Sequence, residues 1–265
     1  MKGIDEHCSN LSKLVSGYEP EIEWLRQSEW LSIASGIKSV EFDIVRYDSC
    51  FGWCHNADYW HIAREKLLES YITELTRFTY VWGALESLIN DLHLPPGPEK
   101  GKINSICGYL KNKLSSYDII YPYPDLVEDL KHILNDNSVN EPKIQARFAA
   151  NYLSSHGIGV YVIYSLRNLF VHGVIGFPEP NEENKPESAY PKIVNMSTRI
   201  VLLTLQMIWL AYYKGTGICS TLHWEPDVCE DKYYLEEILH KIHLKDYAVQ
   251  RDIAKRQLNI QWGNP

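Results

Sequence analysis

The sequence predicts an all-α protein, an antiparallel helical bundle with an N-terminal extension that has room for one short β element. Three observations lead there. Apolar residues recur every three or four positions across residues 61–93, the spacing of one stripe on a helix. Further segments of the same kind follow, separated by Pro- and Gly-rich breakers. Strand-like alternation stands out only at Val40, Phe42 and Ile44, which flank Glu41 and Asp43.

The elements follow in chain order. Residues 1–60 form an aromatic-rich extension, with Trp24, Trp30, Phe51, Trp53 and Trp60, and a short helix expected from Ile22 to Leu31. The bundle is expected over residues 61–257. Its first helix carries Leu68, Tyr71, Ile72, Leu75, Phe78, Trp82, Leu85, Ile89 and Leu92 on one face and stops at Leu94-Pro-Pro-Gly-Pro98. A helix is expected over Ile103–Leu114. Another follows over Asp125–Leu134, with Asp125 as its cap and Glu128 three residues on. Lys143–Ser154 and Gly159–His172 read as two helices broken near His156-Gly157. Residues 173–187 are a loop, Lys192–Tyr213 a buried helix, and residues 214–231 irregular. Tyr233–Gln257 reads as a final helix interrupted near Leu244, and residues 258–265 as a tail.

Composition narrows the function. The net charge of −8 argues against a sequence-blind nucleic-acid coat, so any RNA contact must be local. Six scattered Cys and an N-terminus without an apolar segment lead us to expect a reduced, cytoplasmic protein without a signal peptide. The most apolar run, Ile200–Tyr213, is 14 residues long and includes Thr204 and Gln206, so it reads as a core helix and no membrane partner is expected. No Gly-rich phosphate loop is present, and no cofactor is expected.

The chemistry-bearing stretch is Tyr164-Ser-Leu-Arg-Asn-Leu-Phe-Val-His-Gly173. Asn168 and His172, four apart, share a helix face, and Tyr161 and Ser165 extend it. Ile158, Val162, Leu166, Leu169 and Phe170 face the core. Gly173 marks the helix end. An imidazole at a helix C-terminus suits proton transfer near neutral pH. The planar fork of Arg167 suits a phosphate.

This pattern of Arg, a polar residue, three residues and then His resembles the signature of the HEPN superfamily. The helix Phe78-Thr-Tyr-Val-Trp-Gly-Ala-Leu-Glu-Ser-Leu-Ile89 is also similar to an early helix of that family. The resemblance covers roughly residues 61–257. It implies a homodimer with a composite active site and metal-independent cutting of an RNA substrate. In that mechanism His172 moves protons, Arg167 stabilises the scissile phosphate and Asn168 orients His172 or the substrate. It further implies a toxin or phage-defence role, with an antitoxin or regulatory protein as partner. Val174 stands where one subgroup carries a modified Tyr, so that regulation is not expected. The same residues also fit a non-catalytic HEPN-like module that binds RNA, a nucleotide or a protein, and, with no site at all, His172 as a plain helix cap and Arg167 paired to an acid such as Glu86.

Weaker signals remain. Glu86 lies on the long helix, where it would orient His172 or hold Arg167. Tyr161, Tyr164 and Ser165 are supporting candidates. Cys50, Cys54 and His55, with Cys219, His223 or Cys229, offer zinc ligands at poor spacing, and buried thiols are the simpler reading, so no metal is expected. Lys100, Lys102, Lys111 and Lys113, and the basic tail from Lys241 to Arg256, read as solvated faces or as guides for RNA. Glu179–Glu187 reads as a soluble connection, a lid or a contact for a basic partner. His240 and His243, three apart, are expected to be solvated.

Overall fold

The computed structural model describes residues 1–16, 21–47, 55–95, 101–137, 142–150, 153–181, 183, 185, 187–220 and 233–245. The fold is all-α, a helical bundle. In chain order its helices are α1 (Ile4–Leu14), α2 (Leu25–Gly36), α3 (Ile44–Tyr47), α4 (His55–Asp91) and α5 (Lys102–Lys113). After these come α6 (Tyr123–Asp136), α7 (Pro142–Phe148), α8 (Ile158–Val171), α9 (Ala189–Tyr213) and α10 (Leu235–Lys241). Strand pairing among the described residues is limited to Cys219–Ser220 against Tyr233–Tyr234 and one bridge between Ser16 and Glu23.

Helix α9 is the hub. It packs against α1, α4, α5, α6, α8 and α10, and every residue from Ile200 to Ala211 is buried. A helix apolar on all sides needs such a surround. Its 25 residues include a window apolar enough to cross a membrane, so the expected shortness is not what distinguishes it. The distinguishing fact is that 89% of that window is buried inside the bundle.

Helix α4 has 37 residues and buries Leu67, Leu68, Tyr71, Phe78, Val81, Leu85 and Leu88 along one stripe. Its long contact with α9 forms the main seam of the core. The expected boundary at residue 60 falls inside α4. Leu11 and Leu14 of α1 and Leu31 and Ala34 of α2 belong to the same continuous core as α4 and α9.

Several expectations need correction. The helix over residues 4–14 was not foreseen. The anticipated strand at Val40–Ile44 does not form: residues 40–43 pair with no strand and Ile44 opens α3, while side chains of α4 hold the neighbouring backbone. Arg77 donates to the carbonyls of Ile37 and Lys38, and Thr73 Oγ1 accepts from Val40 N–H at 2.9 Å. Asp125 does not cap α6. That helix starts at Tyr123, with Pro124 in its first turn, where a missing N–H costs nothing. The final helix is short, and the expected continuation over residues 246–257 lies outside the described residues.

Tyr123 also fixes the start of α8. Its hydroxyl donates to His156 O at 2.9 Å and accepts from Gly159 N–H at 3.1 Å. A Cβ on residue 159 would sit 2.6 Å from that hydroxyl, so the close approach requires Gly. Anchored there, α8 lays Val162 and Leu166 into the core and directs its other side toward α4, α5 and α7.

Candidate functional site

The end of α8 is built as the sequence suggests. Gly173 has φ +65°, its N–H bonds to Phe170 O at 3.2 Å, and Val174 N–H bonds to Leu169 O at 2.9 Å. That pair of bonds closes the helix with a glycine in the left-handed region. His172 therefore occupies the C-cap, where its side chain is exposed. Val171, Val174 and Phe177 around it are exposed as well.

Arg167, one and a half turns earlier, is partly buried. Its Nη1 donates to Asn168 Oδ1 at 3.3 Å, and its Nη2 lies 4.0 Å from Glu86 Oε1. The same Glu86 oxygen accepts the Trp82 indole N–H at 2.6 Å. Trp82 in turn stacks on Tyr164, with centroids 6.3 Å apart and planes 14° from parallel. Two α4 residues and two α8 residues thus form one rim: Trp82 orients Glu86, and Glu86 faces Arg167.

This rim borders a pocket of about 420 Å³. Glu86 and Ile89 of α4 line one wall, and Tyr161, Tyr164 and Arg167 of α8 the opposite one. The first turn of α5, with Lys102 and Asn104, closes one end, and Arg147 of α7 another. The Arg147 guanidinium lies 4.2 Å over the Tyr161 ring, an attraction between cation and aromatic face that fixes its direction. The pocket-facing row on α8 is therefore Tyr161, Tyr164 and Arg167, three apart each time. It replaces the expected row of Tyr161, Ser165, Asn168 and His172. Asn168 touches the site through Arg167, whereas Ser165 and His172 are not among the lining residues.

Sequence reasoning missed Trp82 and Arg147. Trp82 stands four residues before Glu86, a helical spacing that could have paired them. Arg147 carries no such signal, because only the packing of α7 on α8 brings it in. Lys102 was marked as basic but not tied to Arg167.

The other candidates sit elsewhere. Cys50, Cys54, His223 and Cys229 lie outside the described residues, as does the basic tail beyond Lys245. The His55 ring packs on Tyr59, and Cys219 is half-buried. Among the described residues no three His, Cys, Asp or Glu gather as metal ligands. Lys111 and Lys113 are exposed on α5. In the described part of the expected connection or lid, Asn181 Oδ1 accepts the N–H groups of Glu183 and Lys185. His243 is not solvated as expected. It is fully buried, with Nε2 donating to Tyr121 O at 2.7 Å. His240 is half-buried, and burial lowers its pKa.

The chain matches no known family model, no curated protein and no solved structure.

Proposed function

We propose that this protein is a metal-independent endoribonuclease of the HEPN type that works as a homodimer. The observation that carries the reading is the asymmetry of α8. Residues 159–163 are buried, yet the end of the helix carries an exposed His172, about 7.5 Å of helical rise beyond Arg167, whose side chain lines a cationic pocket. On a chain of net charge −8, three cations in one pocket supply the local grip that an RNA phosphate needs.

In this mechanism His172 accepts the ribose 2′-hydroxyl proton or donates one to the departing 5′-oxygen. The 2′-oxygen attacks phosphorus, the bond from phosphorus to the 5′-oxygen breaks, and a 2′,3′-cyclic phosphate and a 5′-hydroxyl result. Arg167 stabilises the charge that builds on the phosphate. Asn168 holds the Arg167 fork. The exposed Val171, Val174 and Phe177 give a second copy an apolar surface to cover, which would bring two His172 rings to one cleft. A toxin or defence role, with a regulatory partner, is the biological setting that the resemblance implies.

A rival reading, a non-catalytic module that binds RNA or a nucleotide, draws on the absence of His172 from the pocket lining. One experiment separates them. Structured RNA is mixed with wild type, His172→Ala and Arg167→Ala proteins in EDTA. Cutting by wild type alone, leaving cyclic phosphate ends, is the expected result. No cutting by any of the three, with equal RNA binding, refutes the nuclease and favours the module.

A further inference from the structure

The pocket beside Arg167 holds more charge than the Arg167–His172 pair uses. Lys102 and Arg147 line it with Arg167, against the single carboxylate of Glu86, which leaves a formal excess of two positive charges. The Glu86 oxygen nearest Arg167 is already engaged by the Trp82 N–H. A further source of positive potential is the first turn of α5. Ser105 N–H bonds back to Gly101 O at 3.1 Å, and Gly101 brings no side-chain cap. The N–H groups of Lys102 and Ile103 lie ahead of that bond, so the helix itself gives them no acceptor.

The charge selects among phosphates. An internal phosphodiester carries one negative charge, whereas a phosphomonoester carries about −1.5 to −2 near neutral pH. An excess of two matches the monoester. The size fits too, since 420 Å³ is within the range of small-molecule sites, roughly 300–1,000 Å³. The walls are aromatic where a base would lie. Tyr164 is exposed and backed by Trp82, which offers a flat face for stacking.

We propose that this pocket binds a nucleoside monophosphate unit, its terminal phosphate on Lys102 and Arg147, the two cations left once Glu86 balances Arg167, and its base against Tyr164. The inference deepens the ribonuclease reading and rests on it for the nucleic-acid nature of the ligand. The unit is either a phosphorylated RNA end or a free nucleotide. The pocket would then read an end, while His172 acts on a bond beyond it.

The test is calorimetric titration of the full chain at low salt with adenosine 5′-monophosphate, adenosine 3′-monophosphate, adenosine and inorganic phosphate. At least one monophosphate should bind tenfold or more tightly than adenosine and than inorganic phosphate. Lys102→Gln, at an exposed position that the fold does not need, should weaken it several-fold, and Lys102→Gln/Arg147→Gln tenfold or more, with unchanged circular dichroism. Lys131→Gln, in an exposed ion pair on α6, is the charge control and should bind as wild type. RNA oligomers with and without a terminal phosphate then identify the source. Tenfold preference for the phosphorylated end assigns the RNA terminus, and equal binding of both assigns the free nucleotide. The proposal is overturned if adenosine binds as well as its monophosphates, if the Lys102→Gln and double variants bind like wild type, or if no monophosphate binds at millimolar concentration. RNA cutting in EDTA without monophosphate binding removes this inference and keeps the nuclease. Monophosphate binding without cutting does the reverse.

Discussion

His172 stands exposed at the end of α8, whereas His7 of α1 is buried against Gln206 of α9. The two rings have the same chemistry and opposite surroundings. Around His7 one chain of hydrogen bonds runs through three helices, with only its Nδ1 left without a partner. His7 Nε2–H donates to Gln206 Oε1, the Gln206 amide donates to Leu239 O at 2.6 Å and to His243 Nδ1 at 3.3 Å, and His243 Nε2–H donates to Tyr121 O. That arrangement keeps both rings neutral and ties α1, α9 and α10 together. Around His172 no such assignment exists, and the ring is open to solvent and ligand. Burial turns one histidine into a structural joint and leaves the other available to move protons.

The largest test of this contrast is substitution of the exposed ring. His172→Ala should lower RNA cleavage roughly 100- to 10,000-fold, the usual worth of a positioned acid or base. Arg167→Ala should cost about 100- to 1,000-fold, as loss of one phosphate donor does. For His172→Ala the melting temperature should stay within error, since the residue is exposed. A cleavage loss that merely tracks a fall in melting temperature would mean that His172 is structural after all.

The next test acts on the buried ring. Burial first, then the neighbouring His243, Arg199 and Lys2, lower the His7 pKa from 6.5 to about 3, against a smaller opposing effect of the Gln206 hydrogen bond. Glu6 faces Lys2 at 3.7 Å and offsets part of that charge. Between these pKa values the unfolded chain binds more protons than the folded one. Stability is therefore complete above about pH 6.5 and is lost as the pH falls, by up to about 1.4 kcal/mol per pH unit for each such ring. Urea unfolding between pH 7.5 and 4.5, above the range where most carboxylates titrate, reads this directly. His7→Gln should be less stable at pH 7.5 and show a shallower decline. A wild-type stability flat across that window would contradict a buried neutral His7.

The two regions also differ in how far the sequence reveals them. The helix carrying Arg167 and His172 is legible because Val162, Leu166 and Leu169 repeat at helical spacing and Gly173 punctuates its end. The His7 helix was missed, although Ile4, Cys8, Leu11 and Val15 keep the same spacing. His7, Asn10 and Ser12 are buried among them, and a core-facing surface with polar members does not read as apolar. Their partners, Gln206 for His7 and Ser28 for Ser12, are distant in the chain and visible only once α1 has packed. The pocket splits in the same way. Arg167 lies in a motif, but Arg147 and Lys102 belong to separate helices, and no local spacing records that these converge.

Glu86→Gln is the smallest perturbation and sharpens the contrast between an exposed and a buried polar contact. The Glu86–Arg167 pair is half exposed and 4.0 Å long, so its loss should cost about 0–1 kcal/mol, against several for an unpaired group in the core. The amide keeps an oxygen for the Trp82 N–H, which preserves the rim between α4 and α8. Cleavage should change less than tenfold. A modest rise in affinity for monophosphate is expected, because a negative charge leaves the pocket. Thermal melts and cleavage rates of this variant beside Glu86→Ala separate two roles. Equal small effects fit a carboxylate that only balances Arg167. A cleavage loss as large as that of His172→Ala, at unchanged stability, would instead make Glu86 a proton-transfer group and extend the catalytic site from the end of α8 onto α4.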